Sequence, residues 1–292
     1  MEEELDLSKI LRAKEAADLV YETIRSRAEE LKEAGTQPQL AVILVEGDPA
    51  SAYYAQAKRK IADRLGIAFR LQELPANTSE ATIVRLVREW NADPAVHGIM
   101  LELPLPAHLS ARRIEREISP AKDIDGVTPA NKLATVTGDA GLYPATPQAC
   151  IALAKHYGYA LEGKNVTLIG RGQTVGLPLF HLLQRENATV TVCHSRTPDI
   201  KSHLTDAAIA FVAVGRPGMV TSDMVHPDLV LIDAGINERP DGRIVGDVAD
   251  DAGELAAAYS PVPGGVGTLT TAILFRNLMD AIEWQQKEAA RE

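Results

Sequence analysis

A chain of 292 residues exceeds the roughly 100–200 residues of a typical domain, so two domains are expected, each large enough to bury a core of its own. Hydrophobic residues at 46% and charged residues at 24% are ordinary for a globular enzyme, while 4% aromatic residues argue against a base-stacking surface. The formal charge of -10 disfavours general nucleic-acid binding, so a phosphate or carboxylate ligand must be met by local basic side chains.

Two cysteines, Cys150 and Cys193, build neither a disulfide framework nor a zinc site, and no metal is expected. The opening MEEELDLSKI is acidic where a signal or transit peptide would be basic, and no apolar run reaches the length of a membrane span. A reduced, cytoplasmic chain with no membrane partner is the expectation.

Residues 9–34 carry apolar positions Ile10, Leu11, Ala16, Leu19, Val20 and Ile24 at helical spacing, and Gly35 ends the pattern. LAVILVEG from Leu40 reads as a buried strand. In GDPASAYYAQAKRK, Asp48 is a candidate N-cap with Pro49 at the first helical position, and Gly66 stops the helix after Leu65. IAFRLQEL from Ile67 is a second strand, followed by a helix capped at Thr78 or Ser79. VHGIMLELPLP gives a third strand whose carboxyl end carries Glu102, Leu103 and Pro104, where open α/β sheets place their ligands. A short helix over 110–118 leads into SPAKDIDGVTPAN, in which Asp123 and Asp125 read either as site residues or as turn-formers. Thr146 is the expected N-cap of a helix with Pro147 first and Ala149 to His156 following. From Lys164 a fresh series of strands (NVTLIG, ATVTVCHS, DAAIAFVAVG, DLVLIDAG) predicts a parallel, doubly wound sheet, and a glycine-rich turn then opens a long closing helix.

Two constellations carry chemistry. Tyr54 and Lys58 stand i and i+4 on one helix, so a phenol and an ammonium point the same way. Gly170, Gly172 and Gly176 form G-x-G-x-x-x-G between a strand and a helix, the place for a pyrophosphate-binding turn. The next strand ends Cys193-His194-Ser195-Arg196-Thr197, without the acid that accepts from a ribose 2'-hydroxyl. Arg171, Ser195 and Arg196 instead suit a 2'-phosphate, so NADP is expected over NAD.

Taken in order, PASAYYAQAKRK, LPLP, KDIDG, the TP at Thr146, GRGQTVGLP, VGRPG, IDAGIN, GDV and PVPGGVG resemble the bifunctional methylenetetrahydrofolate dehydrogenase/cyclohydrolases of one-carbon metabolism. The resemblance runs through nearly the whole chain. It implies a folate-binding catalytic domain from 1–145 with 268–292 and a Rossmann NADP-binding domain from 146–267. It implies oxidation of 5,10-methylenetetrahydrofolate to the methenyl cation, then hydrolysis to 10-formyltetrahydrofolate, on a route that feeds purine biosynthesis. By the same resemblance Lys58 manages protons in the hydrolysis beside Tyr54, and Asp125 binds the pterin edge. Ser51, Leu103, Pro104, Pro263, Gly264 and Gly265 line the folate, polyglutamylated or not. Gln173, Thr174, Val175, His194, Gly215 and Ile236 join the cofactor site, and a homodimer through the cofactor domain is implied.

The chain departs from that pattern most sharply at Glu102, where glutamine is the family's usual residue. A carboxylate beside Lys58 would favour the charged ammonium and make it a poorer proton acceptor, weakening the hydrolysis. Ala145, Asn131-Lys132-Leu133, Gly172-Gln173 and Thr268-Leu269 also depart. Two rival readings are a shikimate-dehydrogenase-like NADP oxidoreductase and a catalytically silent folate- and NADP-binding regulator. A short-chain dehydrogenase is rejected, because there the glycine turn precedes the tyrosine.

Overall fold

The computed structural model describes residues 10–290. Two compact units divide the chain: Leu19–Ala145 with the residues from Leu274 onward, and Thr146–Ile273 with the described residues up to Asp18.

In the first unit the order is α1 (Lys14–Glu33, of which the part from Leu19 belongs to this unit), β1 (Gln39–Val45), α2 (Pro49–Leu65), β2 (Ala68–Leu74), α3 (Glu80–Ala92), β3 (Gly98–Leu101), α4 (Ala111–Glu115) and α5 (Pro129–Thr137). Its three strands are parallel in the order β2-β1-β3. Six of the seven residues of β1 are buried, as a continuous apolar run in the middle of a parallel sheet requires. Ile83, Val87 and Trp90 of α3 and Ile114 of α4 pack with Ala41, Ile43 and Ile99 into one core. Local chemistry sets the helix ends. Asp48 accepts from the Ser51 amide at the start of α2, Gly66 closes it at φ 66°, and Ser79 rather than Thr78 caps α3.

The second unit continues with α6 (Ala145–His156), β4 (Asn165–Ile169), α7 (Gly176–Arg185), β5 (Thr189–Cys193), β6 (Ile209–Val212), β7 (Val230–Asp233), β8 (Asn237–Glu238), β9 (Ile244–Val245), α8 (Asp250–Leu255), β10 (Ala258–Tyr259) and α9 (Val266–Ala289). Its five-stranded sheet runs β10-β7-β6-β4-β5, parallel throughout, with β8 and β9 apart as a small hairpin. The chain winds one way from β4 to β5, then the other way through β6, β7 and β10. The switch point therefore falls between the carboxyl ends of β4 and β6.

Several expectations need correction. Residues 10–13 are extended rather than helical: Ile10 bridges Tyr259, and Ala13 donates to the Gly264 carbonyl. Backbone pairing thus joins this segment to the second compact unit, and Lys9, where the predicted helix opened, lies outside the described residues. Leu19 is exposed and lies off the buried stripe of α1, which runs through Ala16, Ile24 and Ala28. Helix α6 starts at Ala145, so Thr146 sits inside its first turn instead of capping it; Pro147 is tolerated there because first-turn amides need no helical acceptor. The β5–β6 and β6–β7 connections carry single 3-10 turns, not helices. Helix α9 contributes residues up to Ile273 to one unit and those from Leu274 to the other.

The KDIDG loop is held by buried charge. Lys122 donates to the carbonyls of Trp90, Asn91 and Asp93, completing the C-terminus of α3. Asp123, fully buried, accepts from the amides of Val127 and Thr128 and from the Asn131 side chain, at 3.0, 2.8 and 2.9 Å. Asn277 of α9 donates to the carbonyls of Ile124 and Tyr143 on the far side. Asp123→Ala would strand three buried donors and is expected to cost about 3 kcal/mol or more of unfolding free energy. Chemical denaturation checks this; a change below about 0.5 kcal/mol would contradict the anchoring role.

Candidate functional site

The first site is built on α2. Its buried stripe is Ser51, Ala55, Lys58, Ala62 and Leu65, which puts an ammonium in a line of small and apolar side chains. Lys58 is 9% exposed, and its Nζ lies 2.8 Å from Oε1 and 3.0 Å from Oε2 of Glu102, itself 5% exposed. Such a two-oxygen contact is an ion pair sheltered from solvent, not a surface bridge screened by water. Glu102 follows β3 directly and so arrives at the carboxyl end of the sheet, where its amide bonds the Ile43 carbonyl. The structure therefore places Glu102 against Lys58 rather than in solvent.

Tyr54, one turn earlier, is 40% exposed and stacks edge-on with Tyr53, so it stands at the rim of the site while Lys58 lies within. Leu103 is 46% exposed, and Pro104 follows through a cis peptide bond. Ser51 is buried; its hydroxyl is 2.7 Å from Asp48 Oδ2 and 2.9 Å from the Leu103 carbonyl. It ties the start of α2 to the Leu-Pro corner.

The two aspartates of KDIDG separate cleanly. Asp123 is spent on the loop, whereas the Asp125 carboxyl makes no hydrogen bond among the described residues and is half-buried. Desolvation first, then the charge of Asp123, pushes Asp125 up to about 7, with Lys58 pulling it down and Glu102 and Glu115 adding to the rise. The mutual influence of Asp125, Lys58 and Glu102 puts these three groups in one electrostatic site. Near neutral pH Asp125 can accept or donate, which suits the donor-rich edge of a fused heterocycle.

The second site sits at the switch point of the five-stranded sheet. Gly170 has φ 120°, and a Cβ there would strike the Ala213 carbonyl; one on Gly176 would strike Gly170 itself. These two glycines close the turn and pack helix on strand. A Cβ on Gly172 would meet nothing within 4 Å, so that glycine leaves room for a ligand. Gln173, Thr174 and Val175 lead into α7, whose N-terminus no side chain caps; the Leu177 amide donates to the Gly172 carbonyl and Pro178 has no N–H, so the helix end offers an anion its Gly176 amide. A cleft of about 230 Å³ is lined by Gly170, Arg171, Gly172, His194, Ser195 and, among others, Arg216. His194 Nδ1 accepts from the Arg196 amide and its own amide donates to Thr197, so the turn holds Ser195 and Arg196 outward and exposed. No carboxylate lines this cleft; the residues fit a nucleotide phosphate.

Sequence reasoning missed Val214, Arg216 and Met219 of the lining, because only Gly215 was singled out in VGRPG. The available signal was a strand end, and finding it required knowing that β6 lies beside β4. Gly215 itself, at φ 67°, is the bend between two lining residues. Ile236 is 59% exposed after β7 and does not line this cleft. Pro263, Gly264 and Gly265 form the turn into α9 within the second unit, with Gly264 at φ 102° and Pro263 preceded by a cis peptide bond.

Because the folded protein holds Asp125 above its ordinary value, its charge costs stability progressively as pH rises from about 4 to about 7 and constantly above that. Below about pH 4 the carboxyl is neutral in folded and unfolded chains alike. Asp125→Asn is therefore expected to stabilise the protein by about 1–3 kcal/mol above pH 7 and by almost nothing at pH 4. Unfolding curves at the two pH values check this; an equal effect at both would contradict it.

Residues 11–125 match the family described as tetrahydrofolate dehydrogenase/cyclohydrolase, catalytic domain, and residues 144–286 match its NAD(P)-binding domain. The chain is 47% identical over 283 residues to "Bifunctional protein FolD 2" of Desulfitobacterium hafniense, covering 97% of this chain and 99% of that protein. Among solved structures, the bifunctional FolD methylenetetrahydrofolate dehydrogenase/cyclohydrolase of Campylobacter jejuni superposes with a TM-score of 0.91 at 35% identity, covering 94% of this chain and 99% of that one. The Trypanosoma brucei methylenetetrahydrofolate dehydrogenase-cyclohydrolase, complexed with NADP cofactor and inhibitor, does so at 0.88 and 32% identity, covering 94% and 97%. A shikimate 5-dehydrogenase from Listeria monocytogenes reaches 0.52 at 12% identity, covering 84% of this chain and 92% of that one, a likeness of fold alone. Spanning both units, these matches show that the chain belongs to the tetrahydrofolate dehydrogenase/cyclohydrolase family.

Proposed function

We propose that the chain oxidises 5,10-methylenetetrahydrofolate with NADP and hydrolyses the methenyl cation to 10-formyltetrahydrofolate, with the hydrolysis slowed by the Lys58–Glu102 ion pair. NADP supplies the hydride acceptor for the oxidation. That step turns a neutral donor into a delocalised cation, and no proton has to leave for it to finish. Its demands are orientation and a dry site, which Tyr54, Leu103 and the Asp125 carboxyl support on the folate side. The hydrolysis adds water to the methenyl carbon, releases one proton and opens the ring, so a group must take up and return a proton.

The single observation that carries the slowed hydrolysis is the two-oxygen contact between Lys58 and Glu102. For Lys58 to give up a proton, the pair must lose its attraction and leave a carboxylate alone in a buried place, which opposes the step. The oxidation has no such requirement, and a carboxylate near a forming cation favours it. A shikimate-dehydrogenase-like activity is not favoured, and the intact pocket chemistry argues against a silent binder. The exposed edge strand β5 supports a homodimer through the cofactor unit. A cytoplasmic setting and supply of one-carbon units for purine biosynthesis complete the reading; no helix among the described residues is long and apolar enough to cross a membrane.

Glu102→Gln is expected to raise the cyclohydrolase rate by about tenfold while the dehydrogenase rate stays within about threefold. Separate assays from methenyl- and methylenetetrahydrofolate check this, and equal cyclohydrolase rates in the two proteins would sink the ion-pair reading.

A further inference from the structure

Beneath the cofactor cleft lies a carboxylate that the chemistry above does not use. Asp247 is fully buried, and it collects three successive backbone amides: Val214 and Gly215 on Oδ2 at 2.6 and 2.9 Å, and Arg216 on Oδ1 at 2.7 Å. Asn237 of the β8–β9 hairpin adds a fourth donor at 2.9 Å. Successive amides curled around a residue with positive φ make a concave anion site, the kind of nest that often holds a phosphate. Here the protein's own carboxylate fills it. Asp247 is itself fixed from below, since Asp233 accepts from the amides of Asp247 and Val248. The loop after β6 is thus pinned by its inward amides, and its outer side lines the cleft.

With the nest occupied, the loop can meet an anion only through a side chain. Arg216 lines the same cleft as Arg171 and Ser195, is exposed, and makes no side-chain hydrogen bond or ion pair among the described residues. A guanidinium held at the edge of a cleft that contains no carboxylate is poised for a phosphate. We infer that Arg216 is a further contact to a phosphate of the dinucleotide, and that Asp247 is the positioning residue that aims it by clamping the 214–216 backbone. This rests on the NADP reading of the cleft.

The test measures binding of NADP, NAD and 2',5'-ADP to the full chain by calorimetry, for Arg216→Gln, Arg216→Lys, Asp247→Asn and the pair Arg216→Gln/Asp247→Asn. Arg216→Gln is expected to weaken NADP by about tenfold to a hundredfold, with Arg216→Lys recovering part of the loss. A loss confined to NADP and 2',5'-ADP assigns the contact to the 2'-phosphate, and an equal loss for NAD assigns it to the pyrophosphate. Asp247→Asn is expected to weaken NADP comparably, with the double variant no worse than about twofold beyond it. NADP affinity within about twofold of wild type in Arg216→Gln overturns the proposal, and fully additive losses overturn the positioning role. Arg216 is exposed, so its variants test the contact even if Asp247→Asn does not fold. A wild-type chain that bound neither dinucleotide would instead sink the NADP reading, and the proposal with it.

Discussion

Burying one ammonium constrains much of the first unit. A lysine that is 9% exposed must be met by a counter-charge or by several acceptors, because an unpaired buried charge costs several kcal/mol. Glu102 meets it with both oxygens, and that requires α2 and the end of β3 to be fixed against each other. Ser51 does part of this by tying the start of α2 to Leu103, the residue after Glu102. The buried Lys122 and Asp123 hold the KDIDG loop so that Asp125 presents a carboxyl that accepts no hydrogen bond among the described residues. One serine and two charged residues of the unit are thus structural supports for the electrostatics of three charged others.

On the proposed reading, the pair also separates the two half-reactions. Hydride transfer needs geometry and tolerates a proton-holding lysine, whereas hydrolysis needs a lysine that can change its protonation. Replacing a neutral amide by a carboxylate at position 102 leaves the first demand nearly untouched and opposes the second. The cofactor unit shows a parallel division: two glycines of the turn after β4 are needed by the fold, the third is open for a ligand, and the neighbouring nest is filled from within by Asp247.

Much of this was legible in the sequence where the signal is local. Asp48-Pro49, Gly66 and Ser79 mark helix ends by chemistry that acts over a few residues, and the buried run of β1 announces itself by composition. The departure at Glu102 was legible too, although its contact with Lys58 joins residues 44 apart. What stayed hidden depends on distant pairing. Residues 10–13 are extended because Tyr259 and Gly264 offer backbone partners, which no local pattern reveals. The two-residue β10 is too short to carry a strand signal, and the polar stretch of α5 lacks helical periodicity. Asp123 and Asp125 are alike in sequence and differ only in what surrounds them. Asp247 stood in the sequence only as part of the GDV motif, with no role of its own, since that role is defined by a loop more than thirty residues away.

The slowed proton step is tested most directly by watching one turnover sequence in the wild-type protein. Starting from methylenetetrahydrofolate and NADP, NADPH and the methenyl intermediate are followed separately in time. Methenyltetrahydrofolate is expected to accumulate to an amount comparable with the NADPH formed before 10-formyltetrahydrofolate appears. Formation of 10-formyltetrahydrofolate in step with NADPH, with no methenyl build-up, would contradict the claim that the Lys58–Glu102 pair restrains the hydrolysis.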